Sequence, residues 1–171
     1  MDLMQGILTR RSVRSYRTQE KMSKQELTDL LKAAMQAPSA MNKQPWSFVV
    51  IDKPDVLEKI QSLHPYAAFA KEAGTAIMVC GNRADSYEEY WKVDPLLAGQ
   101  NVLLAAHGMG LGACWCGVYP DEARMQTFAK LLHLPENVLP MALIVVGIPA
   151  NPVGTPTERY DSKKVHFNQW S

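Results

Sequence analysis

The sequence predicts an α/β fold on one central sheet, because helix and strand signals alternate along the chain. Short apolar runs such as Thr75 to Cys80 and Met141 to Gly147 have the length and composition of buried strands. Alternation does not fix strand direction, but it favours a parallel sheet. The length of 171 residues suits one domain with its own core, so residues 1–171 are assigned to a single domain.

Capping residues and prolines predict the element boundaries. Ser23 and Glu26 have capping-box spacing, so a helix begins after Ser23 and ends before Pro38. Asp94 before Pro95 predicts an N-cap with proline in the first turn. In chain order we expect helix 3–8, helix 24–37, strand 47–51, helices 54–63 and 66–71, strand 75–80, helix 95–107, strand 111–116, a helix opened by residues 120–122, strand 141–147 and a polar tail after Pro149.

Composition excludes several classes of protein. With 47% hydrophobic and 20% charged residues the chain is not a disordered one. The net charge of +1 gives no overall attraction to nucleic acid or anionic lipid, so any anion site must be built locally. No run approaches the roughly 20 apolar residues of a membrane helix, and the N-terminus lacks the pattern of a signal peptide. Three cysteines, an odd number in a chain of this length, do not indicate a disulfide framework, and we expect a cytoplasmic protein.

The richest polar stretch is Arg10-Arg11-Ser12-Val13-Arg14, which places three guanidiniums and a hydroxyl within five residues. Arginine offers forked donors that fit a phosphate or a planar carbonyl edge. The cluster is therefore either an anion site or a solvated basic turn. The tail, with Arg159, Lys163 and Lys164, either returns to the same anion or stays solvated.

Two further loops need interpretation. The stretch from Pro38 to Trp46 (PSAMNKQPW) is stiffened by two prolines and rich in hydrogen-bonding groups, so it either holds a polar aromatic ligand or only connects a helix to a strand. The glycines from Gly108 to Gly117 do not match a dinucleotide fingerprint, because they close a helix and lead into a strand. A helix C-cap followed by close packing explains them better.

The sequence predicts no metal site and points to no hydrolase. Cys114 and Cys116 form a single pair, and the histidines lack zinc-finger spacing. In a strand the two cysteines face the same side and pack. The segment Ala84 to Lys92 (ADSYEEYWK) carries three aromatic residues that either stack on a planar acceptor or pack between helices.

Taken together, these stretches resemble the nitroreductase family of FMN-dependent oxidoreductases. The resemblance covers nearly the whole chain and rests on the order of its motifs: RRSVR at 10–14, PSAxNxQPW at 38–46, AxQN at 98–101, GLGxCW at 110–115, RYD at 159–161 and VHxNxW at 165–170. It implies an α+β fold with a mainly antiparallel sheet flanked by helices, which replaces the parallel expectation. It also implies a homodimer with the flavin between the subunits and a C-terminal tail that embraces the partner.

The resemblance also assigns roles to individual positions. It implies that the FMN phosphate and ribityl chain are held by Arg10, Arg11, Ser12 and Arg159, and that Arg14 lies near N1 and O2 of the flavin ring. It implies that the backbone of Cys116 and Gly117 faces N5 and O4 of the ring. The residues that it brings from the other subunit are Pro38, Ser39, Ala40, Asn42 and Gln44. One departure is that Lys71 is displaced from the position where many relatives have a further contact.

The implied activity is the reduction of nitroaromatics, quinones or similar small aromatic acceptors with NADH or NADPH, by a ping-pong hydride mechanism. Within flavin chemistry, the alternatives are a reductive dehalogenase, a flavin-destroying enzyme and a flavin-binding protein without turnover. A further alternative is an interaction domain whose arginines are surface charge. The resemblance implies no nucleic-acid or membrane partner.

Overall fold

A computed structural model describes residues 1–18, 20–154 and 156–170. The helices in these ranges are α1 (Leu3–Thr9), α2 (Lys24–Ala34), α3 (Pro54–Leu63), α4 (Ala70–Ala73), α5 (Asp94–Gly108) and α6 (Glu122–Leu131). The strands are β1 (Trp46–Ile51), β2 (Thr75–Asn82), β3 (Gly112–Gly117) and β4 (Val138–Gly147). Most predicted elements are therefore present, with ends that differ by a few residues.

The described strands form one sheet in the order β1-β2-β4-β3, and each neighbouring pair is antiparallel. The parallel sheet that alternation favoured is thus wrong. Alternation cannot distinguish the two, because a helix can return the chain to either end of a sheet. The α+β fold with an antiparallel sheet, which the family resemblance implied, is confirmed.

Helices cover both faces of the sheet. On one face, α3, α4 and α6 contribute to a core around Met78, Cys80 and Leu143. On the other face, α2 and α5 pack on Ile77, Val79 and Ile144. Alternate residues of each strand thus enter different cores, as the two-residue period of a strand requires. Helix α5 is apolar around most of its circumference, because it lies between the sheet and α2.

Two of the predicted helix ends are confirmed in detail. The Ser23 side chain accepts a hydrogen bond from the Glu26 N–H, and the Glu26 carboxylate accepts one from the Ser23 N–H, which completes the capping box. At the end of α5, Leu111 N–H donates to Ala106 and Gly110 N–H donates to His107, which is a Schellman motif. Gly110 has a φ of 77°, the left-handed conformation that this motif needs.

Asp94 does not have the capping role that its sequence context predicted. It is the first residue of α5, and Val93 occupies the N-cap position. The buried Asp94 carboxylate instead accepts a hydrogen bond of 3.0 Å from the Ala40 N–H. The aspartate therefore holds the loop before β1 rather than its own helix.

Candidate functional site

The candidate site is built around β3, which lies at the edge of the sheet in the described part of the chain. Val13 N–H donates to the Ala113 carbonyl at 3.0 Å, so the Arg10–Arg14 segment covers the first half of this edge. Because alternate residues of an antiparallel strand turn their backbone groups toward the same side, Trp115 and Gly117 also direct theirs to this edge. The second half of β3 is thus the segment where a ligand can meet backbone groups.

Arg10, Arg11 and Arg159 converge on one cavity. This cavity of about 470 Å³ lies between α1 and the tail, and is also lined by Glu158 and Tyr160. Arg11 Nη2 donates to Thr157 Oγ1 at 3.3 Å, which connects the cluster to the tail. The carboxylate of Glu158 is itself engaged, because it accepts hydrogen bonds of 2.8 Å from the N–H groups of Arg159 and Tyr160.

The pKa of Arg10 shows how strongly the cations are concentrated. Burial lowers this pKa from its usual value, and the charges of Arg159 and Arg11 lower it further. Three like charges that face one cavity repel one another unless an anion neutralises them. Guanidinium forks of this kind are donors that suit an anion such as a phosphate.

Ser12 and Arg14 lie on the same segment and face the cysteines of β3. The neighbouring Cys116 thiol lowers the pKa of Cys114, burial opposes the change, and Arg14, Ser12 and Arg10 act in the same direction as Cys116. The proximity of Cys114, together with burial, raises the pKa of Cys116. Both cysteines are buried in one core, so the prediction that they share a side and pack is confirmed.

Gly117, at the end of β3, carries two side-chain hydrogen bonds on its carbonyl. His64 Nε2 and Arg124 Nη1 each donate to this oxygen at 2.9 Å. A Cβ built on Gly117 would meet nothing within 4 Å, whereas at Gly99 it would come within 2.7 Å of the Trp115 ring. Packing within the chain therefore explains Gly99 but not Gly117, and the space directly beside the Gly117 α-carbon is open.

The loop of Pro38 to Gln44 is a rigid, polar structure. Gln44 N–H donates to Ser39 Oγ at 2.9 Å, and the Gln44 amide donates to Asn42 Oδ1 at 3.0 Å. Asn42 and Gln44 both have a φ of 52°, so the loop is held in a conformation that non-glycine residues seldom adopt. The hydrogen bond from the Ala40 N–H to the Asp94 carboxylate connects this loop to the start of α5.

Within one chain this loop does not meet the arginine cluster. The length of α5 gives the distance between the loop and the cluster. At the start of α5, the Ala40 N–H donates a hydrogen bond to Asp94, and near its end Thr9 Oγ1, next to Arg10, is 2.8 Å from His107 Nε2. His107 follows Asp94 by thirteen positions along the helix, which corresponds to about 20 Å. The loop also leads into β1, and β3 lies at the opposite edge of the sheet.

In the segment Ala84 to Lys92, the packing alternative applies to Trp91, and the stacking of Tyr87 and Tyr90 on an acceptor stays a prediction. Trp91 is buried, with the Arg83 guanidinium 4.7 Å from its ring centroid, so this residue packs. Tyr87 and Tyr90 are exposed and contact each other at 6.2 Å between centroids. Lys71, the displaced lysine, forms an exposed ion pair of 2.9 Å with Glu58.

His64, Arg124 and Asp94 are candidate site residues that the sequence did not single out. His64 stands before a proline at a helix end, a context typical of any turn, and no sequence signal connects it to Gly117. For Asp94 the Asp-Pro pair predicted a cap, which concealed its contact with Ala40.

Among the described residues, the helices lack the length and apolarity that a membrane span requires.

Comparison with known proteins agrees with this geometry. The family model described as "Nitroreductase family" matches residues 7–64 and 58–148. A Methanothermobacter thermautotrophicus protein named "Putative NADH dehydrogenase/NAD(P)H nitroreductase" is 42% identical over 172 residues, covering 99% of this chain and 88% of that protein. A crystal structure of a Bacteroides thetaiotaomicron protein with the same name has a TM-score of 0.92 at 42% identity, covering 98% of each chain. A structure named as an FMN-dependent nitroreductase from Clostridium difficile R20291 has a TM-score of 0.88 at 27% identity, covering 98% of this chain and 99% of that one.

The α+β fold and these relatives thus identify the chain as an oxidoreductase. The chain belongs to the nitroreductase family.

Proposed function

We propose that this protein is an FMN-dependent oxidoreductase that uses NADH or NADPH to reduce nitroaromatics, quinones or similar electron-poor acceptors. The observation that carries the proposal is the convergence of Arg10, Arg11 and Arg159 on one cavity between α1 and the tail. The names of relatives support the cofactors, since one Bacillus subtilis relative is named "FMN reductase (NADPH)" and another "FMN reductase [NAD(P)H]".

The residues present fit FMN at both ends. The phosphate needs several cationic donors, which Arg10, Arg11 and Arg159 supply together with the exposed Ser12 hydroxyl. The ring needs flat, accessible backbone, which the bare α-carbon of Gly117 and the neighbouring Cys116 backbone provide. When bound, FMN supplies two-electron redox chemistry, and the protein supplies position and charge.

Arg14 is the residue that we assign to the N1 and O2 side of the ring. It is exposed, it lies on the segment that pairs with β3, and its charge lowers the pKa of Cys114 and opposes the raised pKa of Cys116. A guanidinium carries a permanent positive charge and so stabilises negative charge that develops beside it. Arg14 therefore favours the reduced, anionic form of the cofactor.

We infer that two copies of the chain complete each site. The loop of Pro38, Ser39, Ala40, Asn42 and Gln44 lies about 20 Å from the arginine cluster of its own chain, as measured along α5. In a homodimer the partner's copy of this loop can reach the ring. Exposed apolar side chains support such an assembly: Leu3, Met4, Ile7 and Leu8 on α1, with Phe167 and Trp170 on the tail that we expect to embrace the partner.

We propose a ping-pong order, in which the donor and the acceptor use the same space in turn. The nicotinamide donor leaves before the acceptor enters the same space, and no side chain is assigned as a proton donor. We also place the protein in the cytoplasm, where its free, buried cysteines stay reduced.

The test combines an FMN titration with steady-state kinetics. FMN should bind at one per subunit, and NAD(P)H oxidation should give parallel double-reciprocal lines when a quinone or nitroaromatic acceptor is varied. Binding without turnover would instead indicate a flavin-binding protein, and preference for a halogenated acceptor would indicate a dehalogenase. If the protein stays colourless with excess FMN, the proposal is wrong.

A further inference from the structure

The buried residue His64 forms one hydrogen bond with each ring nitrogen. Its Nε2 lies 2.9 Å from the Gly117 carbonyl oxygen, and its Nδ1 accepts a hydrogen bond of 3.3 Å from the Tyr66 N–H. A carbonyl can only accept and a backbone N–H can only donate, so the ring is the neutral tautomer with its proton on Nε2. Burial lowers the pKa of His64, which keeps the ring in this neutral form.

Arg124 approaches the same carbonyl oxygen from α6. Its Nη1 donates to Gly117 at 2.9 Å, and its Nη2 lies 3.1 Å from the Asp121 carboxylate. Asp121 is the N-cap of α6, so the guanidinium is held between a helix start and a strand end. The Gly117 carbonyl thus accepts one neutral and one charge-assisted hydrogen bond from two different elements.

This arrangement leaves the end of β3 with an unusual surface. The Gly117 carbonyl is occupied by two side chains, and its α-carbon faces space that no atom of the chain fills within 4 Å. A glycine is the most flexible residue and needs restraint if it is to present a fixed surface. Cys116 adds restraint, because its Sγ donates to the Tyr66 carbonyl at 3.4 Å and joins the turn after His64 to β3.

We propose that His64 and Arg124 are positioning residues that fix the Gly117 peptide for the flavin, by holding its carbonyl away from the ring face. The inference rests on the proposed function, because it assumes that the ring lies against Gly117. It extends that function to two side chains that do not contact the cofactor. The physical reason is preorganisation: a backbone that is already ordered loses less conformational entropy when the ligand binds.

Two substitutions of His64 separate its two hydrogen bonds. An asparagine places an acceptor near the position of Nδ1 but has no donor at Nε2, whereas a glutamine places a donor near Nε2. His64→Asn should therefore lose the Gly117 contact and keep the Tyr66 contact, and His64→Gln should do the reverse. Arg124→Met removes the second donor and keeps an apolar stem. Lys130→Met, on the same helix, is the matched control.

The measurements are the FMN dissociation constant and the carbonyl ¹³C chemical shift of Gly117 in the FMN-free protein. We expect His64→Asn and Arg124→Met to weaken FMN binding about tenfold, the equivalent of one hydrogen bond of ordinary strength. Both should also move the Gly117 carbonyl shift. His64→Gln and Lys130→Met should stay within about twofold of the unchanged protein, a difference too small to count as a lost hydrogen bond.

The outcomes separate this inference from the proposed function. If the unchanged protein binds no FMN, the proposed function itself fails. If it binds FMN and turns over, but folded His64→Asn and Arg124→Met bind FMN equally well, only the positioning role is wrong. Equal weakening by His64→Gln and His64→Asn would also overturn it, because the Tyr66 turn would then be the important contact. Should His64→Asn not fold, Arg124→Met decides, since the Arg124 side chain is partly exposed.

Discussion

Substituting Arg159 with alanine should weaken FMN binding while leaving the FMN-free protein at least as stable as before. Arg159 lines the same cavity as Arg10 and Arg11, and its charge helps to lower the pKa of Arg10. Without an anion these charges repel, so removing one relieves the repulsion. With the phosphate bound, the variant lacks a charge-assisted hydrogen bond. Such bonds contribute about 1.5–3 kcal/mol, or roughly 10- to 150-fold in dissociation constant.

The assay is a fluorescence titration of FMN at two salt concentrations, together with a thermal melt of the FMN-free protein. Salt should weaken binding to the unchanged protein more than to Arg159→Ala, because screening acts on each phosphate contact. Arg159→Lys should bind with intermediate affinity, since an ammonium keeps the charge but loses the fork. Lys130→Ala, which removes one positive charge from α6 outside the cavity, serves as the control. An equal FMN affinity in Arg159→Ala, or a lower melting temperature with no loss of affinity, would refute the reasoning.

Three further predictions follow from the same geometry. Gly117→Ala should weaken FMN binding without changing the free energy of unfolding. Gly99→Ala should lower the free energy of unfolding without changing the FMN affinity of the folded protein, because its Cβ would lie 2.7 Å from a Trp115 ring atom. A urea melt and an FMN titration of both variants check these two results. Arg14→Ala should lower the flavin reduction potential, measured by dye equilibration, and an unchanged potential would remove Arg14 from the N1 side. Burial lowers the pKa of His64, so the neutral ring contributes stability that is present above about pH 6.5 and is lost as the pH falls through the pKa of His64 in the folded protein. Between about pH 7.5 and 5.5, the free energy of unfolding should therefore fall less steeply in His64→Asn than in the unchanged protein.

The local elements could be predicted because their signals are local. Ser23 and Glu26 define a helix start through their own side chains, and Gly110 defines a helix end through its backbone. Strand direction depends on how distant segments pair, so hydrophobic runs identified the strands but not their antiparallel order. The antiparallel sheet was expected from the family resemblance, which rests on the order of motifs along the chain and not on hydrophobic periodicity.

The site was predictable only in part, for a related reason. Arginines cluster in the sequence at 10–14, and their type alone indicates an anion. That Arg159 joins them could be expected only from the family resemblance, because it depends on the path of the tail. His64 and Arg124 meet at Gly117 across three separate elements, so no spacing in the sequence reports that contact.

The position of Asp94 connects the interior of the fold to the proposed dimer. Its buried carboxylate accepts the Ala40 N–H, so the start of α5 fixes the loop that we assign to the partner's site. The other end of α5 contacts Thr9, next to Arg10. One helix therefore holds the two parts of the proposed site about 20 Å apart, too far for both to contact the same atoms of one cofactor. A second copy that supplies the missing loop would turn this separation into two complete sites, which explains why polar loops and exposed apolar side chains occur together on one chain.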